Sequence, residues 1–218
     1  MNLTRAGIFL LSRRYFRARN MAPNANPSPP SESKPTRAPT PTPDSAPESF
    51  TLRPPTRGDL GHIISRHGAL LDYPGLRFEA LAARICADFV DNFDPTRERC
   101  WVAEGQRSGA FLGCVFLVSD PDSDAAPDSK NSNSAKLRLL LVEPRARGMG
   151  LGKRLVEECV AFARSVGYQR VVLWTQSSLL SARRIYEAAG FEIISTEEHD
   201  TLGVKMMGET WELQLGLS

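Results

Sequence analysis

A short glycine-rich segment constrains this chain more than any other feature of its sequence. Residues 147–153 have the sequence RGMGLGK, and they follow an apolar stretch that ends at Val142. The periodicity from Gly150 to Val166 predicts a helix that begins within the segment. Glycines let the backbone approach a ligand, and the first turn of a helix has N–H groups without intrahelical partners. The arrangement predicts an anion site suited to a pyrophosphate, with Arg147 and Lys153 adding positive charge.

Two other phosphate-binding loops share part of this pattern, and the spacing disfavours both. A P-loop has the form G-x-x-x-x-G-K-[ST]. Gly152-Lys153 fits it, but Arg147 replaces the first glycine and Arg154 replaces the hydroxyl residue that binds magnesium. A dinucleotide fingerprint has the form G-x-G-x-x-G, with an acid about 20 residues later. Here the third glycine comes one residue early, and residues 168–172 contain no acid.

The rest of the pattern predicts strands and helices of one layered domain over residues 49–218. Strands are expected at 50–53, 101–104, 110–118, 136–142, 170–175, 191–196 and 206–215, and helices at 59–71, 77–92, 150–166 and 178–189. Asp59 stands where the first helix should have its N-cap, and Gly190 should follow the last helix at C′. The polar residues 119–134 are expected to form a long loop. Strands around two central helices indicate an α/β fold.

The first 48 residues have a different composition. Residues 1–20 contain five arginines and no acid. This is typical of a mitochondrial transit peptide, while a basic tail, or upstream sequence bypassed by a start at Met21, explains it equally. Residues 21–48 are rich in Pro, Ser and Thr, which predicts a disordered linker. A cytoplasmic location is favoured, and a mitochondrial one stays open.

Composition also narrows the expected partners. A formal net charge of +2 gives no reason to expect nucleic acid. No apolar run approaches the roughly 18 residues of a membrane span. The four cysteines form no C-x-x-C pair, which favours reduced thiols over a metal site or a disulfide framework. We therefore expect a soluble monomer or homodimer without a metal, nucleic-acid or membrane partner.

Two segments together resemble the signatures of the GNAT acetyltransferase superfamily. The form V-x-P-x-x-R-G-x-G-[IL]-G-x-x-L is matched at every specified position from Val142 to Leu155, and A-x-x-x-Y-x-x-x-G-F is matched from Ala182 to Phe191. The resemblance covers about residues 50–215. It implies a mixed, mostly antiparallel sheet flanked by helices, and direct acetyl transfer from acetyl-CoA to an amine in a ternary complex. The cofactor contacts that it implies are Leu140, Leu141, Val142, Arg147, Gly148, Met149, Gly150, Leu151, Gly152 and Lys153.

Further segments look like the acetyltransferase half of bacterial MarR–GNAT fusion proteins. They are residues 98–101, 136–142, 173–175 and 208–213. In those fusions a winged-helix domain precedes the catalytic domain, whereas residues 1–48 are too short and too proline-rich to fold as one. The likeness therefore implies the catalytic half only, and DNA binding is not expected.

Tyr186 is the candidate general acid. The matching tyrosine of the superfamily lies near the cofactor sulfur, and a phenol with a pKa of about 10 can protonate a departing thiolate. A tyrosine that only packs in the core would satisfy the same helical pattern.

The general base is harder to identify. His199 is the first candidate, since it follows two glutamates before the final hairpin and the fusion proteins have His-His there; a loop histidine without a role is the alternative. Glu104 acting through a water is a weaker candidate. The strand before the glycine loop has Lys136 and Arg138 where some members place a glutamate.

Three functions stay open from the sequence. The first is an N-acetyltransferase. The second is a non-catalytic acyl-CoA-binding or regulatory module with the same fold, and the third is a nucleotide-binding domain, which the glycine spacing disfavours. The acceptor amine is unknown, so a protein lysine, a protein N-terminus, a polyamine and a small amine all remain candidates.

Overall fold

A single sheet organises the part of the chain that the computed structural model describes, which is residues 48–71, 73, 75–120, 133–200 and 203–216. Its strands are β1 (Phe50–Arg53), β2 (Arg99–Gly105), β3 (Phe111–Ser119), β4 (Ser134–Val142), β5 (Arg170–Gln176), β6 (Glu192–His199) and β7 (Met206–Gln214). The seven strands lie in the order β1-β2-β3-β4-β5-β7-β6. Only β4 and β5 pair in parallel, and the other pairs are antiparallel. The predicted mixed, mostly antiparallel sheet is confirmed.

Four α-helices flank this sheet in the described residues. They are α1 (Asp59–Leu70), α2 (Arg77–Asn92), α3 (Leu151–Ser165) and α4 (Leu180–Ala188), and a 3₁₀ turn, Pro144–Ala146, joins β4 to the glycine loop. The predicted elements are all present, with ends that shift by up to three residues. The largest shift is at β6, which continues past the predicted Thr196 to His199.

The start of α1 differs from the prediction. Gly58, with φ 96°, is the N-cap, and Asp59 is the first helical residue. The Asp59 carboxylate instead accepts hydrogen bonds from the Thr56 backbone N–H at 2.6 Å and from its hydroxyl at 2.9 Å. It also pairs with Arg53 at 2.6 Å. Asp59 therefore fastens the turn before the helix to β1.

The two faces of the sheet bury separate apolar clusters. On one face, α3 and α4 pack residues such as Leu155, Cys159 and Tyr186 against inward-facing strand residues. On the other, α1 and α2 pack Ile63 and Phe89 among residues of β2, β3 and β4. Apolar residues at i, i+4 and i+8 along α3, including Leu151, Leu155 and Cys159, explain why it lies on the sheet. The helices therefore hold the central strands from both sides.

Several predictions lie outside the described residues. These are the transit peptide and linker, except for Glu48, and most of the predicted loop at 119–134. The domain boundary at residue 49 and the location of the protein stay predictions. No helix in the described ranges combines the length and the apolar character that a bilayer span requires.

Candidate active site

A gap opens between β4 and β5, the only parallel pair among the described strands. The two strands pair from Ser134–Arg170 to Leu137–Leu173 and no further. Beyond that point β4 continues to Val142 and β5 to Gln176. Backbone groups of β4 that face the gap therefore have no partner from β5. Such groups are available to bond an extended ligand lying between the strands.

A bulge bends β4 at the edge of this gap. Cys114 faces Leu141 and Phe116 faces Arg138, so two residues of β4, Leu139 and Leu140, oppose one residue of β3. Leu139 has φ 50°, the one positive φ among the described residues that are not glycine. Its carbonyl accepts a hydrogen bond from the Cys114 thiol, at 3.3 Å. Holding a residue in this region costs about 1–3 kcal/mol, so the surrounding structure must impose the bend.

The glycine loop follows directly from β4. Gly148 and Gly150 have φ of 79° and 75°, in the left-handed region that favours glycine. Gly150 is the N-cap of α3, and no described side chain caps this helix. The N–H groups of the first turn of α3 therefore have no intrahelical acceptor and face outward beside the loop. The predicted strand, loop and helix N-terminus are confirmed in their order.

The three glycines have two different roles. A methyl group added to Gly148 or Gly150 would meet nothing within 4 Å, so both border open space. A methyl group on Gly152 would lie 2.7 Å from Cδ1 of Ile185 on α4. Gly152 therefore lets α3 and α4 approach each other. Leu151 is 1% exposed, so only its backbone is available to a ligand.

The charged residues of the loop are only partly engaged. Lys153 lies 3.7 Å from Glu157 on the exposed side of α3. Arg147 is exposed, and no described acid pairs with it. An exposed arginine beside unsatisfied N–H groups is suited to bind phosphate oxygens. Of the two predicted cations, Arg147 is the more available.

Tyr186, a residue of α4, belongs to the apolar cluster that α3 and α4 form with the sheet. It is 4% exposed, and its ring lies 5.9 Å from Phe191 and 6.1 Å from Trp211, between centroids. Burial raises the pKa of its phenol well above the ordinary value. The raised pKa keeps the phenol protonated, and no described residue forms a hydrogen bond with its hydroxyl. The acid role of Tyr186 stays a prediction.

His199 lies on the opposite face of the sheet. It is the last residue of β6, faces Met206 of β7 and contacts Trp174 edge-on, with 5.6 Å between ring centroids. A methyl group on Gly208 would lie 2.6 Å from both rings, so the missing side chain there allows the contact. The Glu197 carboxylate is 3.8 Å from its Nε2. His199 is therefore a strand residue with packed neighbours, which contradicts the loop alternative, and its base role stays a prediction.

Three other side chains have partners that lie far away in the sequence, and the base role of Glu104 stays a prediction. The Glu104 carboxylate is bound by Arg53 at 2.8 Å on β2, and β3 separates it from β4. Trp174 is half-buried against His199, so it is not a core residue like Trp101 and Trp211. Arg183 on α4 pairs with the buried Glu209 at 3.2 Å. The partner is Arg53 for Glu104, His199 for Trp174 and Glu209 for Arg183, and none of these pairs is local in the sequence.

Helix α1 and Tyr73, which follows it, make contacts that the sequence did not indicate. Arg66 donates two hydrogen bonds to Glu143, of 2.6 and 2.9 Å, one residue after β4 ends. The side-chain amide of Gln176, the last residue of β5, donates a hydrogen bond to the Tyr73 hydroxyl. These partners are 77 and 103 positions apart in the chain, which hides them from any local pattern. Burial raises the pKa of Tyr73 to about 12.

The described residues include no group of three or more His, Cys, Asp or Glu side chains placed to hold a metal ion. The four cysteines are all buried free thiols. Burial raises the pKa of the Cys159 thiol well above its usual range, as expected of a core residue rather than a nucleophile.

Known proteins resemble this chain in sequence. The acetyltransferase (GNAT) family matches residues 69–191. An N-acetylaspartate synthetase of Danio rerio is 32% identical over 108 residues, 50% of this chain and 34% of that protein. N-acetyltransferase 8 of Homo sapiens is 30% identical over 112 residues, 50% and 46% of the two chains. A mycothiol acetyltransferase of Cellulomonas flavigena is 30% identical over 86 residues, which are 39% of this chain and 25% of that protein. The chain spans a quarter to about half of the length of these relatives.

Solved structures share the fold at low sequence identity. A putative acetyltransferase from Salmonella typhimurium, solved with its cofactor acetyl-CoA, has a TM-score of 0.60 at 17% identity, covering 78% of this chain and 95% of that one. A putative phosphinothricin N-acetyltransferase has a TM-score of 0.61 at 16% identity, and the match covers 78% of this chain and 100% of that one.

The family match includes the end of β4, the glycine loop and Tyr186, and it spans more than half of the 218 residues. The chain therefore belongs to the acetyltransferase (GNAT) family.

Proposed function

We propose that this chain is an N-acetyltransferase that moves an acetyl group from acetyl-CoA directly to an amine within a ternary complex. The observation that carries the proposal is the continuity of three features. The gap between β4 and β5 leads along β4 to a glycine loop, and the loop leads to the uncapped N-terminus of α3. An extended ligand with a pyrophosphate at its middle fits that sequence of sites.

The cofactor contacts follow from this arrangement. The pyrophosphate would bind the N–H groups of residues 148–153, and Arg147 and Lys153 would neutralise part of its charge. The pantetheine arm would lie in the gap and bond to the backbone of Leu140–Val142. An N–H group of this strand would polarise the thioester carbonyl, as an oxyanion donor does. The proposal includes no metal.

The transfer needs a neutral amine and a proton for the departing thiolate. A lysine-like amine has a pKa of about 10.4, so about one molecule in a thousand is neutral at pH 7. In the proposed mechanism His199 removes the proton, and the amine nitrogen attacks the carbonyl carbon. The C–S bond then breaks, and Tyr186 protonates the sulfur. The nitrogen loses its second proton to water as the amide forms, and the Tyr186 phenolate regains a proton from water. Since Tyr186 and His199 lie on opposite faces of the sheet, the acid and the base would act from the two sides of the gap.

A non-catalytic acyl-CoA-binding module is the alternative. The observation that favours it is the pair Lys136 and Arg138 on β4, where some family members place a glutamate. Lys136 lies 3.5 Å from Asp120, which gives it a structural partner. Such a module would bind acetyl-CoA through the same loop without turnover.

Two measurements test the proposal. Calorimetry with acetyl-CoA, NAD and ATP should show binding of acetyl-CoA alone among the three. Release of free thiol from acetyl-CoA should then depend on an added amine, in a screen of amino acids, polyamines and peptides. Binding of acetyl-CoA without thiol release from any amine would favour the non-catalytic module, and binding of NAD or ATP in its place would refute both.

The acceptor, the assembly and the location are left to experiment. The names of the relatives point to different acceptors, so they select none for this chain. A monomer or homodimer in the cytoplasm is the simplest proposal, and imaging a fusion of residues 1–48 tests it against a mitochondrial location.

The narrower likeness to MarR–GNAT fusion proteins stays a hypothesis, which the relatives reported above do not support.

A further inference from the structure

A buried histidine on α1 has no role in the proposed mechanism. His67 is 1% exposed and belongs to the helix face that packs on the sheet, one turn after Ile63. Its Nδ1 lies 2.9 Å from the backbone oxygen of Ile63. A carbonyl oxygen only accepts hydrogen bonds, so Nδ1 must carry the proton.

This contact determines the state of the other ring nitrogen. In the neutral ring, Nε2 then has a lone pair and no proton. Burial lowers the pKa of His67, which favours that neutral form. Nε2 is closed from solvent, and no described residue forms a hydrogen bond with it. A buried acceptor without a donor destabilises a fold, so its presence here suggests a ligand that supplies the donor.

Residues near His67 contact the ends of the two parallel strands. Arg66, the preceding residue, binds Glu143 just after β4. On the other side, the His67 ring lies 6.0 Å from Phe78, and Phe78 stacks on Tyr73 at 4.7 Å between centroids. Tyr73 in turn bonds to Gln176 at the end of β5. Arg66, beside His67 in α1, therefore contacts the residue after β4, and Tyr73 contacts the last residue of β5.

We propose that Nε2 of His67 accepts a hydrogen bond from the acceptor amine. This inference rests on the proposed function, since it requires an amine beside the thioester. A neutral primary amine has two N–H groups. After His199 has taken a proton from the ammonium group, one N–H bonded to His67 orients the nitrogen lone pair, and the proton of the other N–H leaves as the amide forms. Because Nε2 is closed in the unliganded chain, the amine must separate Phe78 and Tyr73 from β5 as it binds.

The kinetic test replaces His67 with Phe, a ring of similar size that has no acceptor nitrogen. We expect kcat/KM for the amine to fall about 10- to 100-fold, because an amine held in the wrong orientation reacts slowly. Binding of acetyl-CoA, measured by calorimetry, should be unchanged. His62→Phe is the matched control, since His62 is an exposed histidine on the same helix that contacts Phe111, and it should keep wild-type turnover.

A second variant and an unfolding measurement distinguish loss of the acceptor atom from misfolding. His67→Gln keeps an acceptor oxygen and should lose less activity than His67→Phe, while thermal unfolding shows whether both variants are folded. Wild-type turnover in folded His67→Phe would overturn the proposal. So would equal losses in His67→Phe and His67→Gln.

A measurement without turnover separates this proposal from the proposed function. The chain has three histidines, so ¹⁵N-histidine NMR gives few signals, and His67→Phe identifies those of His67. With CoA, which has no acetyl group to transfer, the Nε2 signal should shift only when spermidine, an amino acid or a free-N-terminal peptide is added. No shift with any amine, or the full shift with CoA alone, would overturn the role of His67. Absence of thiol release in the wild-type screen would instead overturn the proposed function.

Discussion

Replacing Gly150 with alanine tests the cofactor loop at its most constrained point. Gly150 has φ 75° and is the N-cap of α3, and an added methyl group would meet nothing within 4 Å. The folded protein therefore has room for the methyl group. The cost of the substitution comes from the left-handed backbone conformation, which a residue with a Cβ atom adopts less readily than glycine. The left-handed region costs an alanine about 1–2 kcal/mol, which should lower the free energy of unfolding by that amount.

The same methyl group would lie in the space proposed for the pyrophosphate. Displacing the phosphate from one backbone N–H removes a hydrogen bond to a charged group, which contributes about 1.5–3 kcal/mol. Since each 1.4 kcal/mol is a factor of about ten, Gly150→Ala should weaken acetyl-CoA binding about 10- to 100-fold. Calorimetry with acetyl-CoA measures the affinity, and urea unfolding measures the stability.

Gly58 provides a matched control. It is the N-cap of α1 with φ 96°, no described side chain caps that helix, and a methyl group there would also meet nothing within 4 Å. Gly58→Ala should therefore lower stability to a similar degree and leave acetyl-CoA binding unchanged. Equal affinities of the two variants for acetyl-CoA would refute the assignment of the pyrophosphate to the loop before α3.

Three further changes give distinct results. Tyr186→Phe should keep acetyl-CoA affinity and lower kcat by about 100-fold or more, since a general acid contributes that much; unchanged kcat would remove Tyr186 from the mechanism. Arg147→Ala should weaken acetyl-CoA binding about tenfold, as loss of a charge-assisted hydrogen bond does, and Arg164→Ala at the far end of α3 should not. Glu143→Gln should lower the free energy of unfolding by about 1–3 kcal/mol, because Arg66 loses its charged partner; urea unfolding that matches wild type would contradict this.

The sequence was sufficient where local patterns determine structure. Glycine spacing after an apolar stretch identified the loop, and Gly190 has the predicted C′ position with φ 90°. Apolar periodicity located α3, although its first residue is Leu151, because Gly150 adopts a left-handed conformation. These features depend on neighbours within a few residues, which a sequence pattern records directly.

Features that depend on distant partners were not predicted. The bend at Leu139 requires β3 to place one residue against two, and a leucine gives no sign of a positive φ. His67 resembles any residue on the apolar face of a helix, because the contacts of Arg66 with Glu143 and of Tyr73 with Gln176 join positions far apart in the chain. Trp174 fits a buried strand pattern, yet it is half-buried against His199, a partner 25 positions away.

The central claim is direct transfer of the acetyl group from acetyl-CoA to an amine. Its most direct test supplies acetyl-CoA with a deuterated acetyl group, adds the amines that release thiol in the screen, and identifies products by mass spectrometry. The account predicts one labelled N-acetyl amine for each thiol released, with no labelled protein when the amine is omitted. Thiol release without a labelled amide, or a labelled protein formed in the absence of amine, would contradict it.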